Sequence, residues 1–175
     1  MYEAKSIYVK LAWETIKNYV ANIKEEKIDK SEELKVKRSC FVTLHKKNGE
    51  LRGCIGTILP VREDLYEEIR GNAISACSRD PRFMAVTEDE LENLTVSVDV
   101  LTEPEIVKNI EELNPKIYGI ILVDQFGRQG VLLPDLDGVD TIDEQISIVK
   151  QKAGMPFGTK IEDLTIYKFE AKRFF

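Results

Sequence analysis

The chain has 175 residues, 43% apolar and 32% charged, with a formal net charge of −6. That length carries one domain or two small lobes with a proper core. The acidic balance disfavours nucleic acid as a partner, because phosphate neutralisation needs clustered Lys and Arg. Three cysteines, no C-x-x-C and one histidine argue against a disulfide framework and a zinc site, so neither metal nor cofactor is expected. There is no apolar signal core at the start and no apolar run long enough for a bilayer. A cytoplasmic protein without a membrane role is expected.

Residues 2–22 place Tyr8, Leu11, Ala12, Thr15, Ile16, Tyr19 and Val20 at helical spacing. This predicts an amphipathic helix, with Trp13 off its stripe and packed under a neighbouring loop. The charged run 24–37 lacks a period and reads as a solvated linker. Phe41 to His45 alternates as a strand, and Asn48-Gly49 predicts a two-residue type I′ hairpin. In that register Lys47 faces Glu50, His45 faces Arg52, Thr43 faces Cys54 and Phe41 faces Gly56. Val42, Leu44, Leu51 and Ile55 then form a core face. Phe41, Thr43, His45, Arg52 and Cys54 form a mixed one.

Pro60 ends the pairing. Asp64 caps a helix with Glu67 and Glu68 in its first turn, stripe Leu65, Ile69, Ala73, Ala76 and Cys77, and an end near Ser78-Arg79. Cys40 and Cys77 read as core, which leaves Cys54 as the one cysteine on a mixed face. Asp80 and Pro81 open a further short helical turn that would hold Arg82 rigidly. Thr87 and Glu90 form a capping box. Residues 94–101 alternate as a strand, with Leu94, Val96, Val98 and Val100 inward and Thr95, Ser97 and Asp99 outward. A short helical piece at 107–113, strands at 117–123 and 129–133, a helix capped by Thr141 and Glu144, and a last strand at 164–169 complete the chain. Strands joined by hairpins with helices between them predict an α+β fold, a mainly antiparallel sheet flanked by helices.

The least ordinary stretch is Leu51-Arg52-Gly53-Cys54-Ile55-Gly56. Together with Asp80-Pro81-Arg82-Phe83, Val96-Ser97-Val98-Asp99-Val100-Leu101, Gly130-Val131-Leu132-Leu133-Pro134, Lys152-Ala153-Gly154 and Tyr167-Lys168-Phe169, it resembles the AMMECR domain family. The resemblance covers nearly the whole chain in order. It implies one domain over 1–175, with a smaller lobe inserted within it, and two unequal lobes around a cleft. The hexapeptide and the D-P-R-F turn would lie near that cleft. It brings no established reaction, and it implies a Memo-like or radical-SAM protein as a candidate partner. Met84 stands where many relatives have proline, and His45 is not part of the family's signature.

Three readings of the hexapeptide follow. In the first, Cys54 is a nucleophile or redox thiol, activated by Arg52 on the same strand face, with His45 as a secondary candidate for the base. In the second, Arg52 and Arg82 form an anion site for a small anionic ligand, a nucleotide or a partner's carboxylate. Thr43 and Asp80 would line it, and Gly53 and Gly56 would admit ligand backbone. In the third, the motif is packing: Gly53 admits a helix, Cys54 fills a gap and Arg52 pairs with Asp80 or Asp99.

Overall fold

The computed structural model describes residues 6–23 and 30–175. Ser6 opens helix α1 (Ile7–Val20), its hydroxyl accepting from the Val9 N–H at 3.2 Å. The helix buries Val9, Leu11, Ala12, Thr15 and Ile16. Trp13, off the expected stripe, is also buried in this core, so the helix is covered over more than one stripe. Of the stretch expected to be a solvated linker, residues 24–29 lie outside the described residues. Its later part is ordered by Leu34, which is fully buried on a short 3-10 turn, Glu32–Leu34.

Strand β1 (Cys40–Lys46) pairs antiparallel with β2 (Leu51–Gly56), but the turn between them is not the expected one. The Gly49 N–H donates to the Lys46 carbonyl at 2.8 Å, and the Lys46 N–H donates to the Glu50 carbonyl at 2.8 Å. Only Gly49 of the Asn-Gly pair has a positive φ, at 88°. The loop therefore has three residues ending in a left-handed glycine. This sets His45 opposite Leu51 rather than Arg52. A bulge between Leu44 and His45 then restores the expected register, Leu44 to Gly53, Thr43 to Cys54 and Phe41 to Gly56. As a consequence Leu51, expected in the core, is exposed, whereas Arg52 is buried.

Helix α2 (Leu65–Ser78) begins at Asp64, whose carboxylate accepts the Glu67 N–H at 3.0 Å. Strand β3 (Leu94–Leu101) pairs antiparallel with β1 on the side away from β2. The first sheet runs β2-β1-β3-β8, and its last strand, β8 (Ala171–Phe174), was not foreseen from the sequence. Four residues of mixed polarity after a Phe-Glu step carry too little pattern to read as a strand. Helix α2 lies against β1 and β2, and α1 lies against β3 and α2.

The second sheet has the order β4-β7-β5-β6, formed by β4 (Glu105–Ile106), β5 (Gly119–Asp124), β6 (Gln129–Leu132) and β7 (Leu164–Phe169), antiparallel throughout. Helix α3 (Ile142–Lys152) packs on β5 and β6, with its capping box from Thr141 and Glu144 in place. The expected α+β class holds, with two sheets in place of one. The chain divides into two compact units, residues 1–101 with 172–175 and residues 102–171, each with its own core.

Candidate functional site

Both glycines of the hexapeptide are used by the chain's own packing. A Cβ on Gly53 would stand 2.2 Å from the Ala76 carbonyl oxygen, so its missing side chain is what lets α2 lie on β2. A Cβ on Gly56 would stand 2.2 Å from the Phe41 ring, which lies across the glycine opposite it.

Arg52 lies on the bulge and points to neither Asp80 nor Asp99, the partners expected of it. Its Nε donates to Glu90 Oε1 at 2.7 Å and its Nη2 to Glu90 Oε2 at 2.9 Å. Glu90 is also the residue that closes the Thr87 capping box, accepting the Thr87 N–H at 3.0 Å. The capping box was legible in the sequence. The tie to Arg52 was not, because it joins residues 38 apart. With only 9% of its side chain exposed, Arg52 is a buried cation, and its Nη1 has no hydrogen-bond partner among the described residues. The guanidinium holds the Glu90 carboxyl at about 2, far below its usual 4.5.

Asp80 and Arg82 work on the outer edge of β2. Asp80 begins a β-turn rather than a helix, with the Phe83 N–H donating to its carbonyl at 3.1 Å. Its buried carboxylate accepts the Cys54 N–H at 2.9 Å, the Arg82 N–H at 3.1 Å, and Arg82 Nε and Nη2 at 3.0 and 2.7 Å. Arg82 Nη2 also donates to the Cys54 carbonyl at 3.3 Å. The pair thus offers Cys54 one acceptor and one donor, as a neighbouring strand would, and closes an otherwise bare sheet edge. The guanidinium holds the Asp80 carboxyl well below the usual carboxylate range. Arg82 itself stays 53% exposed, and its Nη1 has no partner among the described residues.

Cys54 is half-buried, and its sulfur accepts a hydrogen bond from the Thr43 hydroxyl at 3.2 Å. Burial pushes the thiol up. The cation that opposes this is Arg82, where the sequence pointed to Arg52. His45 faces Leu51 and Thr95 across its neighbouring strands, and burial pushes its imidazole down. The sheet registers align Cys54, Thr43 and Ser97 in one row and Gly56, Phe41 and Asp99 in the next. Ser97 and Asp99, expected to face outward, are buried. Asp99 is tied by Arg173 of β8, which donates from Nε at 2.8 Å and Nη2 at 3.2 Å. The sequence offered Asp99 as a partner for Arg52, which the structure does not make. Arg173 was out of reach of the sequence, because the strand carrying it was not foreseen.

Glu68 has no counterpart in the sequence reading, which set it in the first helical turn facing the dipole. It is fully buried. Its carboxylate takes the Thr57 hydroxyl, the Arg62 N–H at 2.9 Å, the Val61 N–H at 3.2 Å and Arg62 Nη1 at 3.2 Å. It fastens the segment that follows the hexapeptide onto α2. No group of three or more His, Cys, Asp or Glu with the spacing of a metal site occurs among the described residues. No helix among them is long and apolar enough to cross a membrane.

Comparison with known proteins agrees with this architecture. The AMMECR1 family model matches residues 9–174. A Thermotoga maritima protein is 51% identical over 170 residues, covering 95% of this chain and 96% of that protein. The Clostridium acetobutylicum protein CA_C1420 is 47% identical over 175 residues, but this chain spans 36% of its length. The crystal structure of the uncharacterized protein PH0010 from Pyrococcus horikoshii superposes with a TM-score of 0.80 at 31% identity, covering 95% of this chain and 88% of that one. By the extent of these matches, the chain belongs to the AMMECR1 family.

Proposed function

We propose that the chain is a binding module whose ligand-contacting cation is Arg82. The observation that carries this reading is the division of labour between the two arginines. Arg52 is buried and doubly bonded to Glu90, so it holds the hairpin to the segment after the D-P-R-F turn. Arg82 is held flat by Asp80, yet its side chain is half exposed at the edge of β2, with no partner for Nη1 among the described residues. A planar donor fixed in place meets a carboxylate or phosphate with little ordering cost. The ligand is an anion of that kind, free or carried by a partner protein. Nucleophilic use of Cys54 is less well supported. Its thiol is shifted away from the thiolate form, and its sulfur accepts from a hydroxyl that is no base.

The test is a titration of the labelled full chain with inorganic phosphate and with acetate, followed by amide chemical shifts. Saturable shifts are expected at Arg82, Phe83 and Cys54. Arg82→Ala removes them with the fold intact. Retention of the shifts in that variant, or their absence in the parent, overturns the reading.

A further inference from the structure

The second compact unit carries the whole of the chain's net charge. Residues 102–171 hold seven Lys and Arg against thirteen Asp and Glu, a balance of −6, and the rest of the chain is neutral. Within this unit the β5–β6 turn and the loop after α3 line an open-sided cavity of about 220 Å³. Asp124, Phe126, Arg128, Thr159 and Asp163 are among its lining residues. The volume is below the roughly 300–1,000 Å³ of pockets that hold whole cofactors or drug-sized ligands. It suits a single side chain.

The walls select which one. Asp124 is buried and fixes the turn, accepting the N–H groups of Phe126 and Arg128, both at 2.9 Å. It also takes Arg128 Nε at 2.6 Å, so this pair adds no net charge to the cavity. Arg128 lies 5.2 Å from the centre of the Phe126 ring, yet the phenylalanine remains 75% exposed. Phe157, in the loop beside Pro156 and Gly158, is fully exposed at 103%. Asp163 enters no ion pair with a described residue. The Lys150 ammonium donates to the carbonyl of the lining residue Thr159 at 2.7 Å. Asp163 still has no ion-pair partner among the described residues, and beside an exposed ring on a unit with excess negative charge it favours a cation. Phe126 in the cavity wall, and Phe157 between two of its lining residues, are exposed rings of the kind a partner site leaves uncovered.

We propose that this cavity receives the charged side chain of an arginine or lysine from a basic partner protein, with Asp163 as counter-ion and the Phe126 ring as platform. This site is separate from Arg82 and takes ligand of the opposite charge.

The experiment titrates the isotope-labelled full chain with acetyl-Gly-Arg-Gly-amide, and with the same peptide carrying citrulline, the uncharged isostere of arginine. Agmatine supplies a free guanidinium without a peptide backbone. Saturable shifts at Phe126, Gly158 and Asp163 are expected with the arginine peptide. Affinity should fall ~5-fold in Asp163→Asn, and further as salt screens the contact. Arg82→Ala should leave it unchanged. Equal binding of the citrulline peptide, an unaltered affinity in Asp163→Asn, or no shifts in the cavity overturns the proposal. Tighter binding of agmatine than of the peptide overturns its partner protein.

Discussion

Replacing Glu90 by glutamine keeps the side chain's size and removes the charge that answers Arg52. Its carboxyl is held at about 2 against an ordinary 4.5. At ~1.4 kcal/mol per unit, that displacement sets a ceiling of roughly 3 kcal/mol. Glu90 is 31% exposed, so solvent screens part of the interaction, and about 1–2 kcal/mol is the expected loss. For a chain of this size that lowers the melting temperature by about 3–6 °C. Trp13, the only tryptophan, sits in the core of the unit that contains the pair, so its fluorescence reports the relevant transition. The effect must also depend on pH in one direction. Because the folded carboxyl is depressed, its contribution is fully present above about pH 4.5 and fades as the pH falls toward 2. The gap between parent and variant should therefore be constant near neutrality and close in acid. A gap under ~0.5 kcal/mol at pH 7, the scatter of an ordinary surface change, would refute the buried tie. A gap that stayed constant down to pH 3 would do the same.

Gly53→Ala sets a Cβ 2.2 Å from the Ala76 carbonyl, a backbone atom that can yield only if α2 moves, so a loss of about 1–3 kcal/mol in urea unfolding is expected. Stability equal to the parent's would show that the helix is not seated on that glycine. Alkylation at pH 8 should modify Cys54 more slowly than free cysteine, and Cys77 and Cys40 more slowly still, since burial pushes their thiols to about 11 and about 12. Arg82→Ala should slow Cys54 further by removing the charge that favours its thiolate, and a Cys54 faster than free cysteine would reverse the assignment. Glu68→Ala removes the acceptor of the Val61 and Arg62 N–H groups, a loss of ~0.5–1.5 kcal/mol that hydrogen exchange at those two amides should register as faster opening. Unchanged protection there would mean the segment is held by something else.

What the sequence determined by itself is local. The helix at Asp64, the capping boxes at Thr87 and Thr141, the strand at residues 94–101 and the burial of Cys40 and Cys77 all depend on residues within a few positions of one another. Period and cap chemistry suffice to read such features. The motif residues were legible as unusual, and the opposition of Thr43 to Cys54 came out as expected. Its reason differed from the one expected, because a longer loop and a compensating bulge cancel. Tertiary structure alone decided the partners. The choice of Glu90 for Arg52 and of Arg173 for Asp99, the burial of Glu68 and the exposure of Leu51 depend on which distant segment each side chain meets. A charge pair across tens of residues leaves no periodic trace, since its energy comes from burial and geometry that exist only once the sheet and helices have packed.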